Sequence, residues 1–271
     1  MLGDLRKFAF RAKLHMEFIL ARHISLYAVV AFLAALLNAY IVIPSILDQI
    51  VTASMSGPPF GPVRPPTPFM GISLTLAHLI FSLVSVSIAA SMAGELASTS
   101  LFHLSQPLRR SEYSVSWLLA IVWLPSLLMA LSLFVPISAF DPRLVLRVSF
   151  QPIYLRLVED ILTFSMFCWA ALTRRRGVVA FIGIFFILLL PYLSLVILGL
   201  ISYVFLGGRN PPSLLLTVYE IIFPSTTSTL FLGSVGQLSL DPMRASVGTL
   251  IISVFAQLSY VLYFIRKFEV K

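Results

Sequence analysis

Six stretches of this 271-residue chain, at 24–50, 69–92, 115–138, 153–172, 178–206 and 244–265, stay largely apolar for about 20 residues or more. At 1.5 Å per residue, each is long enough as a helix to cross a hydrocarbon core of roughly 30 Å. The runs are continuous, unlike the alternating ten-residue segments of a transmembrane barrel. Inside lipid the backbone must satisfy its own hydrogen bonds, which leaves helices as the spanning form. The chain is therefore expected to be an all-α polytopic membrane protein with a single transmembrane domain over residues 1–271.

Charge orients it. The formal charge is +8, from 19 Lys and Arg against 11 Asp and Glu. In a soluble chain that excess would point to nucleic acid; between apolar runs it reads as topology, and no nucleic-acid partner is expected. With the N-terminus inside, the inner segments hold thirteen basic residues and the outer ones six. The positive-inside rule then predicts both termini cytoplasmic, and the expected location is the plasma membrane, as a multi-pass protein. No small-x-small cleavage site follows the first run, so the N-terminus is expected to remain uncleaved. The lone Cys168 lies inside an apolar run and says little about redox compartment.

Residues 1–22 carry an apolar stripe, Leu2, Leu5, Phe8, Ala9, Ala12, Met16 and Ile19, with Asp4, Lys7, Arg11 and His15 on the other side. That pattern predicts a separate helix lying in the membrane surface; the alternative is a helix packed on a partner. The first outer loop, SGPPFGPVRPPTPF, is too rich in Pro and Gly to fold regularly. Between the fifth and sixth runs, about 37 residues hold two short apolar pieces, at 213–223 and 227–235, around Pro224 and a Ser/Thr cluster. Neither piece can span, so a re-entrant pair dipping in from outside is expected. The halves share no repeat.

Enzyme signatures are missing. The chain has no HExxH, no Gly-x-Ser-x-Gly, no aspartate pair beside glycines and no phosphate-binding loop. Its histidines, His15, His23, His78 and His103, show no metal-ligand spacing, so no metal is expected. Glu159 and Asp160 lie about two turns into the fourth run. Arg156 is four residues before Asp160, which predicts an Arg156–Asp160 pair on one helix face, a structural ion pair near the headgroups, an outer gate or a substrate contact. Such sparse intramembrane charge counts against a secondary transporter.

The inner segment between the second and third runs reads GELASTSLFHLSQPLRRSEY. Pro107 suits a first helical turn, and a short surface helix is predicted over about 106–114, exposing Arg109, Arg110 and Glu112, with Leu108 and Tyr113 apolar. Here the chain resembles the ABC type-2 exporter permeases. Glu95, Thr99, Leu101, Leu104, Pro107, Arg110, Glu112 and Tyr113 match in order a family segment that ends P-x-x-R-x-E-Y. Ser98 replaces a frequent Gly and Trp117 a frequent Lys, and the C-terminal FIRKFEVK is similar to the family's basic ending, with Glu269 in place of Asp.

The resemblance implies a permease subunit that pairs with a second copy or a paralogue and exports cargo at the dimer interface. A separate ABC ATPase chain would power it, holding ATP and Mg; this chain would carry no cofactor and catalyse nothing. Pro107, Leu108, Arg109, Arg110, Glu112 and Tyr113 would form the coupling helix that docks on that ATPase. The family's path runs along the first, second and fifth spans, where Asn38, Thr75, His78, Ser82, Ser85, Tyr192 and Ser194 supply polar faces. Faces so weakly polar suit an amphipathic or apolar cargo: a peptide, a lipid or a drug-like molecule. They also suit simple helix packing. The alternative function is a membrane scaffold or assembly subunit of similar fold that moves nothing.

Overall fold

A computed structural model of the chain describes residues 2–56, 68–98, 109–140, 150–200, 203–204, 207, 213–227 and 240–267. Among these residues the backbone is helical, without a strand. The elements are α1 (Leu2–Ser56), α2 (Pro68–Ser98), α3 (Arg110–Leu118), α4 (Leu124–Phe140) and α5 (Phe150–Ala171). They are followed by α6 (Arg176–Ile184), α7 (Leu190–Leu200), α8 (Ser213–Ile222) and α9 (Pro242–Lys267).

Among the described residues, four helical stretches are long and apolar enough to cross a membrane: Arg6–Tyr40, Leu74–Ala97, Arg110–Ala139 and Pro242–Arg266. The fourth apolar run forms α5, whose three charges, Arg156, Glu159 and Asp160, set it apart from these. The fifth run is divided among α6, a π-helical turn and α7.

Two boundaries differ from expectation. The N-terminal stripe is not a separate element, because α1 runs unbroken through residues 22–24 to Ser56. Its buried seam is Ala12, His15, Ile19, Tyr27, Ala34 and Asn38, while Phe10, Phe18, Phe32 and Tyr40 face outward. His15, expected on the polar side, belongs to that seam. Likewise the short helix before the third run is continuous with it: α3 passes through a π-helical turn, Leu119–Trp123, into α4.

Prolines explain much of the interior. Pro125, Pro136 and Pro191 lie inside helical runs, and each removes an N–H and crowds the carbonyl four residues earlier. Those carbonyls belong to Ile121, Ser132 and Ile187. Ahead of Pro125 and Pro191 the backbone widens into π-helical turns, Leu119–Trp123 and Phe185–Leu189, which relieve the clash. With no water at hand, a released carbonyl needs a neighbour's donor. Ser85 Oγ donates to the Ile121 carbonyl at 2.7 Å, Tyr27 Oη to Ala120 at 2.7 Å, and Asn38 Nδ2 to Ser132 at 3.2 Å.

These contacts also fix direction. Tyr27 meets Ala120 and Asn38 meets Ser132, so α1 runs parallel to α3 and α4. Arg22 pairs with Glu95, placing the end of α2 beside the first third of α1. Tyr154 meets Ser246 and Ser165 meets Gln257, so α5 and α9 are parallel. One end of the bundle thus gathers the starts of α1, α3 and α6 with the ends of α2, α5 and α9.

At that packing, α6 approaches α2 through Gly183. A Cβ added there would lie 2.5 Å from Val86 Cγ2. Small residues permit such close approach between membrane helices. Gly183→Ala should therefore lower stability by about 1–3 kcal/mol, the range for overpacking, because both Val86 methyls face the site and a helical valine is stiff at χ1. Gly199→Ala, with nothing near its Cβ position, should change little. Equal melting temperatures in detergent for the two variants would sink this account.

Candidate functional site

Two constellations stand out. The first lies where α3 begins. Glu112 accepts the Arg109 amide at 2.8 Å, so the carboxylate caps the helix from its third position. Ser116 Oγ lies within donating distance of two backbone carbonyls, that of Ala12 on α1 at 3.0 Å and that of Glu112 at 2.7 Å. The Tyr113 ring stacks on Phe264 of α9, with centroids 5.6 Å apart, and meets His15 of α1 at 4.9 Å. Trp117 is fully buried beneath them. The start of α3 is thus clamped between α1 and α9.

Clamping changes the expected exposure. Arg109 and Arg110 are exposed as foreseen. Glu112 and Tyr113, expected at the surface, are only 2% and 6% exposed. The cap explains Glu112, since an N-terminal carboxylate satisfies backbone donors and the helix dipole best when turned inward. The aromatic stack explains Tyr113. Of the other motif residues, Glu95 pairs with Arg22 at 2.5 Å. Thr99, Leu101, Leu104, Pro107 and Leu108 lie outside the described residues. So do residues 57–67 of the Pro-rich loop (its ends, Ser56, Pro68 and Phe69, being helical), all but the first residue of the apolar piece at 227–235, and the last four residues of the C-terminal motif.

The second constellation is buried. The expected Arg156–Asp160 pair does not form. Arg156 Nη1 instead donates to Glu159 at 2.9 Å, and Asp160 Oδ1 lies 2.5 Å from His78 Nδ1 of α2. Helix geometry allows either spacing on α5; Asp160 is drawn to the neighbouring helix because His78 faces it there. Asp160 is ten residues from the start of α5 and eleven from its end (160 − 150 and 171 − 160), or about 15 Å from each. Charge is therefore more central than the sequence indicated.

Glu159 has a further task. Helix α8 stops at Phe223, and a new helical turn opens at Pro224 over residues 224–227. Glu159 accepts the amides of Ser225 (2.9 Å) and Thr226 (3.2 Å) and the Thr226 hydroxyl (3.0 Å). The break foreseen at Pro224 is real, and its exposed amides are satisfied by a carboxylate from a third element. Thr249 of α9 donates to the Ile221 carbonyl, closing the other side.

Four of the residues proposed to line a path, Asn38, His78, Ser82 and Ser85, are buried. Asn38 and Ser85 serve the proline-released carbonyls described above, and Ser82 is 0% exposed with Oγ 3.4 Å from His78 Nδ1. Thr75 is half-buried. Tyr192 and Ser194 fall within α7, and their side chains lie outside the described ones. The shallow crevice beside Asn38, between Ala34 and Leu37 of α1 and Ala77 and Ile80 of α2, is too narrow for water. No His, Cys, Asp and Glu cluster able to hold a metal occurs among the described residues. Compared with known proteins, the chain matches no family model, and no curated protein or solved structure is detectably similar to it.

Proposed function

We propose that this chain is the permease subunit of an exporter in the plasma membrane. It crosses the bilayer six times with both termini inside, and works beside a second copy or a paralogue. A separate ABC ATPase, binding ATP and Mg, drives it, and the cargo is amphipathic or apolar. The observation that carries this reading is the geometry at α3. Two exposed arginines, Arg109 and Arg110, stand on a helix start that Ser116 ties to α1, Tyr113 ties to α9 and Glu112 caps. A partner pushing on those arginines would move three helices together. Arginine suits such a contact because its planar fork makes oriented, charge-assisted bonds. The break at Phe223, ahead of the last helix, supports a re-entrant outer pair in the same architecture. The coupling surface is narrower than the motif: Arg109 and Arg110 touch the partner, while Glu112 and Tyr113 hold them in place.

The test is co-purification in mild detergent with an ABC ATPase chain. Arg109→Glu/Arg110→Glu should weaken that association about tenfold or more, equivalent to about 1.4 kcal/mol, with normal membrane yield. Lys13→Glu, a charge reversal at the same end in the exposed Lys13–Glu17 pair, should not. Undiminished association of the double variant would remove the coupling role, and the absence of any bound ATPase would favour the scaffold.

A further inference from the structure

Independently of that reading, we propose that His78 and Asp160 form a proton-binding site between α2 and α5, holding one exchangeable proton inside the bundle. The observations are geometric. The two side chains meet at 2.5 Å, and Asp160 is 0% and His78 6% exposed. The second carboxylate oxygen, Asp160 Oδ2, is buried with no hydrogen-bond partner among the described residues.

Charge balance decides what the pair holds. On α5, Arg156 and Glu159 neutralise each other at 2.9 Å, and Glu159 is further engaged by Ser225 and Thr226. Among the described residues, the remaining ionisable groups on the surrounding elements are occupied or remote. Glu220 of α8 accepts the Leu240 amide, Tyr154 of α5 meets Ser246, and Tyr27 of α1 donates to Ala120. Glu95 and Arg22 pair at the far end of α2, Arg244 of α9 is exposed, and α4 carries no titratable side chain. Asn38, Ser82 and Gln257 are polar but neutral. Without a proton, the pair would leave one uncompensated negative charge in the interior, half of it on a dry oxygen. A lone buried carboxylate is far more costly than a neutral or ion-paired one. With one proton, on Nδ1 or on the carboxyl, the pair carries no net charge. Intramembrane ionisable groups in such pairs are the usual material of proton relays.

The experiment follows unfolding of the full chain in mild detergent over about pH 5 to 8, the range in which histidine sites exchange protons. Below about pH 6.5 the histidine of the unfolded chain carries a proton as well, so the fall is confined to higher pH, where a proton held by the folded but not the unfolded chain changes the unfolding equilibrium about tenfold per pH unit, stability falling as pH rises. Wild type should show that fall. His78→Leu/Asp160→Leu, which removes both partners at similar volume and is expected to fold, should lose this share of it. Asp160→Asn, keeping the shape, should lose it as well and serves if the double variant folds poorly. A variant that keeps the wild-type pH dependence, or a wild type with none over this range, overturns the site.

Discussion

Replacing Glu159 with leucine is expected to lower stability by about 3–5 kcal/mol, the usual effect of removing one partner from a buried ion pair. Four donors converge on this carboxylate: Arg156 Nη1, the amides of Ser225 and Thr226, and the Thr226 hydroxyl. Without it, the Arg156 guanidinium, 8% exposed, remains charged and unpaired. The turn at 224–227 also loses the acceptor for its first free amides, which no water replaces in lipid. Glu159→Gln keeps one acceptor oxygen but not the charge, so a smaller loss of about 2 kcal/mol is expected. Arg156→Leu/Glu159→Leu should recover the part due to the stranded guanidinium and none of the part due to the amides. Melting temperature in detergent reads the total, and proteolysis between residues 213 and 227 reads the loosened segment. If Glu159→Leu melts like wild type with that segment equally protected, the carboxylate is not what holds it.

Why the pairing around Glu159 was only half legible is instructive. Charges at 156, 159 and 160 can be seen on one helix, and so can the break that Pro224 imposes. What cannot be seen is which neighbour each charge meets. His78 and Asp160 are 82 residues apart, Glu159 and Ser225 66. No periodicity reports a contact at that range, because helix phase fixes only the face a residue occupies. The Arg156–Asp160 expectation rested on local spacing, and two distant partners outweighed it. Exposure at the start of α3 failed for a related reason. Glu and Tyr at a membrane boundary read equally as surface groups or as a cap and an anchor, and Phe264, 151 positions after Tyr113, decides between them. By contrast, helices from apolar runs and exposure of Arg109–Arg110 needed only local information. Asn38 and Ser85 lie between these cases. Each was visible as a polar residue on an apolar helix, and the prolines were visible too, but their meeting was not.

That meeting can be tested by repairing the proline. Asn38→Leu leaves the Ser132 carbonyl without its donor inside the bundle and should lower stability by about 2 kcal/mol, the cost of one buried unsatisfied group. Pro136→Ala restores an N–H at the position from which an unbroken helix would bond that same carbonyl. In the Pro136→Ala background the demand on Asn38 disappears, and Asn38→Leu should lower stability by well under 1 kcal/mol, an estimate for trading a redundant amide for an apolar side chain of similar size. The coupling between the two sites should then be about 1.5 kcal/mol, near the top of the range for hydrogen bonds between membrane helices. It should be large because the alternative is a carbonyl with no partner at all. Asn38 Nδ2 also lies 3.5 Å from Ser132 Oγ, so Ser132→Ala checks whether the hydroxyl carries the effect; it should leave the cycle unchanged. The same logic joins Ser85 to Pro125 through the Ile121 carbonyl. If Asn38→Leu is equally destabilising with and without Pro136, the side chain is held for another reason, and a role facing cargo becomes the better account of Asn38.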